Sequence, residues 1–176
     1  MTIDIDEIVQ GLPGLSIVSG RHLFEACVVC LTRQNHISKG TAFYVYGDAK
    51  IDFNLTWENI FDEQLDRTWG DQFYATEHGA VCLAILLALK LTSYTIIEKS
   101  ARKNGFDYWL GEKGDLLFQK KARLEVSGIF TGSSTDVNTR FKCKVKQTNQ
   151  SDSLNIPAYI GIVEFSHPFA NFGAKK

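Results

Sequence analysis

No Pro-, Gly- or Ser-rich linker interrupts the 176 residues, and no internal repeat or low-complexity segment appears. The chain therefore reads as one domain carrying an N-terminal extension. It has no surplus of positive charge: 19 Lys and Arg stand against 20 Asp and Glu, for a net charge of −1. That balance excludes a generally basic nucleic-acid coat but leaves room for a local basic groove. There is no second cysteine pair to complete a four-ligand zinc site, because Cys27 and Cys30 are joined only by the scattered Cys82 and Cys143. No Gly or Pro sits between Cys27 and Cys30. Their Ala-Cys-Val-Val-Cys-Leu context is an apolar helix stripe, so buried, reduced thiols and a cytoplasmic setting are expected. The first residues carry Asp4, Asp6 and Glu7, which is not the charge pattern of a secretory leader. The most apolar run, residues 80–91, is about twelve residues long; this is short for a bilayer and fits a buried helix, so no membrane partner is expected. The glycines form no phosphate-binding loop, and no Gly-x-Ser-x-Gly elbow surrounds Ser127.

What is present is ordinary globular chemistry, with 44% hydrophobic and 12% aromatic residues, enough to build a core and to argue against disorder. Residues 3–11 read as a short helix stopped by Gly11-Leu12-Pro13-Gly14. Ser19 is a plausible cap for a helix over 21–34, where Leu23, Phe24, Cys27, Val28 and Leu31 recur at helical spacing. Strands at 42–46 and 50–55, joined by Gly47-Asp48-Ala49, form a hairpin pattern. Residues 57–68 read as helical, with a break at Gly70.

From residue 76 the pattern is cleaner. Thr76 can cap a helix whose first turn holds Glu77, followed by the apolar run to Leu91. Strands are expected at 92–100, 106–111 and within 116–130, separated by turns at Lys103-Asn104-Gly105 and at 112–115. A helix over 136–147, capped by Ser134 or Thr135, leads through a loop at 149–157 to a buried strand at 159–166. His167-Pro168 ends that strand, and a mobile tail is expected beyond it.

Strand side chains alternate between faces. In the third strand of this unit Phe118, Lys120, Ala122, Leu124, Val126 and Gly128 share one face, while Gln119, Lys121, Arg123, Glu125 and Ser127 share the other. An exposed sheet face gives such a polar row for free. The neighbouring strand, however, carries Asp107 among Phe106, Tyr108 and Trp109, and an acid among aromatics must be paired, hydrogen-bonded or metal-bound. Two converging carboxylates repel, and a divalent cation bound through oxygen relieves that repulsion. Such a cation activates water and stabilises charge on a phosphate, and a nearby Lys or Arg assists.

The order helix, three antiparallel strands, helix, strand, with Asp107 in GFDYWLG and Glu125 in ARLEVSG, resembles the core of the PD-(D/E)XK nucleases, the restriction-endonuclease-like fold. The resemblance covers roughly residues 76–166. It implies an α+β fold with an αβββαβ core at 76–176, a mixed sheet flanked by helices, and a helix and β-hairpin extension at 1–75. It implies a Mg²⁺- or Mn²⁺-dependent nuclease in which Asp107 and Glu125 hold the metal, joined by Glu77. The family pattern places a lysine two residues after the third-strand acid, and Ser127 stands there instead. Lys121 and Arg123, on the same strand face as Glu125, are then the candidate catalytic cations, and Lys142 and Lys144 lie on the next helix. On that helix Arg140, Lys144 and Gln147 share one face at i, i+4 and i+7, which suits a phosphate backbone as well as it suits solvent.

The implied partners are nucleic acid, DNA ahead of RNA, and a second copy or another subunit, in the manner of bacterial restriction or phage-defence systems. The alternative is a catalytically inactive nuclease-fold scaffold subunit, and a third reading is an unrelated enzyme using Asp107 and Glu125 for acid–base work. Glu98 is expected at the surface, His78 as a packing or capping residue, and Glu164 as a contact for a cation on the third strand.

Overall fold

The computed structural model describes residues 1–48 and 50–175, and among them one mixed sheet runs in the order β1-β3-β2-β8-β7-β6-β5-β4. The N-terminal part supplies β1 (Thr2–Asp4), α1 (Ile17–Arg33), β2 (Lys39–Gly47), β3 (Ile51–Thr56) and α2 (Glu63–Thr68). The remainder supplies α3 (Gln72–Leu91), β4 (Tyr94–Lys99), β5 (Tyr108–Glu112), β6 (Ala122–Ile129), α4 (Ser134–Thr148), β7 (Ala158–Glu164) and β8 (Phe169–Ala174). Short 3-10 helices occupy Ile5–Gln10 and Asn149–Leu154. The class is α+β.

From α3 onward the expected order is observed. β4, β5 and β6 form an antiparallel meander, and β7 returns parallel to β6 after α4. α3 lies against β6, β7 and β4 with α1 alongside it, and α4 covers β6, β7 and β8. Because α3 is enclosed by α1 and the sheet, it is apolar nearly all round; Ala80, Leu83, Ile85, Leu86 and Leu87 are fully buried. Glycines let it approach closely. A Cβ on Gly79 would sit 3.1 Å from the Cys27 Cα, and one on Gly128 would sit 2.4 Å from the Thr76 carbonyl oxygen. At 20 residues α3 is longer than the run of about twelve expected, and on length and composition it is able to span a bilayer; here it is a core helix.

Several boundaries differ from the expectation, each because of a local partner. Residues 3–11 are not one helix, since Thr2–Asp4 pairs in parallel with Asn54–Thr56 of β3 before the 3-10 turn begins. Ser16, not Ser19, caps α1 by accepting from the Ser19 N–H at 3.2 Å. Asp62 caps the short α2, so residues 57–61 stay outside it. Asp71 caps α3, and Thr76 lies inside the helix with its hydroxyl donating to the Gln72 carbonyl. α4 begins at Ser134, capped by Ser133 in a reciprocal box with Asp136. The β2–β3 hairpin is observed, with Ala49 of its connection outside the described residues.

Two differences are larger. Residues 116–121 are not strand: Asp115 accepts from the Leu117 and Gln119 N–H groups and folds them into a loop, so β6 starts at Ala122. Nor is the C-terminal segment a mobile tail. β8 is wedged between β7, to which it is antiparallel, and β2, to which it is parallel, with Ala170 and Phe172 buried. It joins the N-terminal hairpin to the core, so residues 1–75 extend the same sheet.

Candidate functional site

β5 and β6 pair only from Tyr108, opposite Leu124, and they diverge ahead of that point. Asp107 sits at this fork. Its backbone still bonds both neighbours, with its N–H donating to the Leu124 carbonyl at 2.9 Å and its carbonyl accepting from the Ser100 N–H at 2.7 Å. Its carboxylate accepts from the Val126 N–H at 2.8 Å, an amide that the divergence has left without a β5 partner. The fork therefore explains why an acid is held beside β6 here.

The polar face of β6 points toward α4. Glu125 is 1% exposed. Its Oε1 accepts from Lys144 Nζ at 2.5 Å and from Gln147 Nε2 at 2.8 Å. Its Oε2 is buried with no hydrogen-bond partner among the described residues. Burial raises the Glu125 pKa to about 7, and the charge of Asp107 pushes in the same direction, while Lys144 opposes them. Asp107 lies just ahead of β5 rather than on it, and it bonds the amide next to Glu125, so the two acids occupy adjacent positions at the fork. One residue pair farther along, Ser127 Oγ accepts from Arg140 at 3.0 Å. The i, i+4, i+7 face of α4 thus meets β6 residue by residue, with Arg140 on Ser127 and with Lys144 and Gln147 on Glu125.

Two candidate cations are placed elsewhere. Arg123 is buried, and its guanidinium donates to the Thr148 carbonyl, the Ser151 hydroxyl at 2.5 Å and the Ile156 carbonyl at 3.0 Å, with Asp152 at 3.5 Å. It anchors the 3-10 segment between α4 and β7 rather than facing the acids. Lys121 is exposed, lies outside β6, and its side chain makes no hydrogen bond or ion pair with either acid among the described residues. Lys144, grouped from sequence with the phosphate contacts, is the cation that pairs with Glu125.

A cleft of about 520 Å³ opens beside the pair, lined by Asp107, Tyr108, Ser127 and Lys144, by Glu77, His78 and His22, and by Lys99 at the end of β4. Residues 14–19 close one side, held by the Gly14 N–H donating to the Ile96 carbonyl at 2.9 Å. Glu77 shares the cleft, yet no three His, Cys, Asp or Glu side chains among the described residues are grouped to hold a metal. The two carboxylates are the donor type that a hard divalent cation prefers, and one buried oxygen of Glu125 has no partner among the described residues. Lys99 and His22 were not singled out in the sequence; Lys99 sits opposite Tyr108 in the expected β4–β5 pairing, whereas His22 comes from α1, whose relation to β5 only the folded chain defines.

The remaining sequence signals find structural roles. Glu98 pairs at the surface with Lys120 at 2.9 Å. Glu164 meets no cation of β6. Fully buried, it accepts from the N–H groups of Gly132, Ser166 and His167 at 3.1, 2.8 and 2.9 Å and from the Ser166 hydroxyl, tying two loops together. Cys27, Cys30 and Cys82 are buried and Cys143 is exposed, all as free thiols. Comparison with known protein families, curated proteins and solved structures finds no match for this chain.

Proposed function

We propose that this chain is a metal-dependent nuclease built on a restriction-endonuclease-like core, hydrolysing phosphodiester bonds, with DNA as the expected substrate. The observation that carries the reading is the Asp107–Glu125 pair at the β5–β6 fork with Lys144 delivered to it from α4. Asp107 and Glu125 would hold the cation. Mg²⁺ or Mn²⁺ bound there would supply water activation and neutralise charge at the phosphate. Lys144 takes the part that Ser127 leaves open: anchored by Glu125 and Gln147, it presents a positive charge at the cleft for the scissile phosphate. Arg140, docked on Ser127, and Lys99 extend that positive rim along a backbone path. Asp107, fixed by the Val126 N–H, needs no reorganisation to present its carboxylate.

A small chain of this kind fits a restriction or phage-defence role, acting as a dimer or with a partner subunit, in a cytoplasm that keeps its thiols reduced. A second reading is favoured by one observation. Lys144 already neutralises Glu125, and Ser127 is committed to Arg140, an arrangement that also suits an inactive scaffold. Incubation of plasmid and single-stranded DNA with the protein and Mg²⁺ or Mn²⁺ decides between them. Cleavage by the wild type, reduced at least about 100-fold in Asp107→Ala and Glu125→Ala, supports the nuclease. An inert wild type with no cation binding by calorimetry supports the scaffold.

A further inference from the structure

The cleft has a second wall that phosphodiester hydrolysis as described does not use. His22 of α1 and His78 of α3 line it, their ring centroids 5.0 Å apart and their planes at 89°. Two further rings back them. His78 meets Tyr74 at 4.1 Å, His22 meets Trp69 at 4.6 Å, and Tyr74 stacks on Trp69 at 5.6 Å with an angle of 26° between planes. Trp69 is buried, whereas Tyr74 is 46% exposed. The cluster therefore runs from the core to the surface.

Hydrogen bonds fix its geometry. His78 Nδ1 lies 2.9 Å from the Tyr74 carbonyl, which can only accept, so Nδ1 donates and Nε2 keeps its lone pair in the neutral ring. The Tyr74 hydroxyl lies 3.3 Å from His22 Nε2. Burial and the neighbouring His78 hold the His22 pKa below its ordinary value, so this ring is uncharged at neutral pH. Pre-packed rings offer flat π faces at little ordering cost. Lys99 and Lys144 bring positive charge into the same cleft. At about 520 Å³ it has the size of a site for one small ligand.

We propose that the His22–His78 wall, backed by Tyr74 and Trp69, is a subsite for one unpaired nucleobase, so that the strand entering the cleft is single-stranded or locally unpaired beside the bond to be cut. The proposal rests on the nuclease reading and adds the substrate class to it. The base stacks on the imidazole faces, as bases do on aromatic side chains in single-strand sites. Its phosphate lies toward Lys144, Lys99 and the acid pair.

The test is fluorescence anisotropy of labelled oligothymidylate in Ca²⁺, compared with the same sequence as duplex and with an abasic chain of equal length. The wild type is expected to bind the single strand about tenfold tighter than either competitor, in keeping with the contribution of one stacked base. His78→Ala and Tyr74→Ala are expected to lose that preference, and His78→Phe, which keeps a ring, to retain it. Circular dichroism establishes that each variant is folded. Equal affinity for the abasic chain, or a preference undiminished in folded His78→Ala, overturns the subsite even if Mg²⁺-dependent cleavage is observed. Single-strand preference without cleavage in any metal supports the subsite and overturns the hydrolytic reading alone.

Discussion

Lys144 Nζ lies 2.5 Å from Glu125 Oε1, joining α4 to the middle of β6 across an interface that leaves Glu125 1% exposed. Removing one partner of a buried pair leaves the other charge without compensation. Lys144→Met is therefore expected to lower stability at pH 8 by about 3 kcal/mol in urea denaturation. At pH 5, where Glu125 carries its proton, the loss is expected to shrink. Equal losses at both pH values would show that the contact is not ionic in the folded protein.

The same carboxyl makes stability depend on pH. Burial and Asp107 raise its pKa from 4.5 to about 7 in the folded chain. The folded state then holds a proton that the unfolded chain has released. Stability from this group is present below about 4.5 and is lost as pH rises toward about 7. Thermal unfolding of wild type and Glu125→Gln across that window is expected to converge at low pH and to diverge above it, the wild type falling relative to the variant. A divalent cation needs the ionised pair, so Mn²⁺ binding is expected to strengthen through pH 7 and to release a proton, read by calorimetry in buffers of different ionisation enthalpy.

On the proposed nuclease reading, Arg123 is an anchor and takes no part in cleavage. Its donors satisfy the Thr148 and Ile156 carbonyls and the Ser151 hydroxyl. Arg123→Met leaves these groups unpaired under α4, and roughly 3 kcal/mol of stability is expected to go with them. Cleavage per folded molecule, assayed well below the new melting temperature, is expected to stay within about twofold of wild type. A loss of turnover with stability intact would return Arg123 to the catalytic set.

Glu164 offers a control remote from the acid pair. It accepts from three backbone N–H groups in two loops. Glu164→Gln replaces one acceptor oxygen by an amide that faces donors, and a loss of about 2 kcal/mol in chemical denaturation is expected. No change in stability would mean that the two loops are held by other contacts.

The sequence by itself determined the αβββαβ order from α3 to β7, the placement of Asp107 beside the strand that carries Glu125, and the shared face of Arg140, Lys144 and Gln147. These are consequences of periodicity: alternation on strands and a 3.6-residue repeat on helices need no distant partner to be read. The tertiary structure alone decided the rest. β1 and β8 are strands because β3, β2 and β7 stand ready to pair with them, and pairing between residues far apart leaves no local trace in a three- or six-residue segment. Lys121, Arg123 and Lys144 look alike as cations near an acid. Only the packing of α4 on β6 sends Lys144 to Glu125, turns Arg123 under the 3-10 segment and leaves Lys121 in solvent. The ring wall of His22 and His78 belongs to the same class, since 55 residues of intervening chain must fold before α1 and α3 bring the two imidazoles side by side.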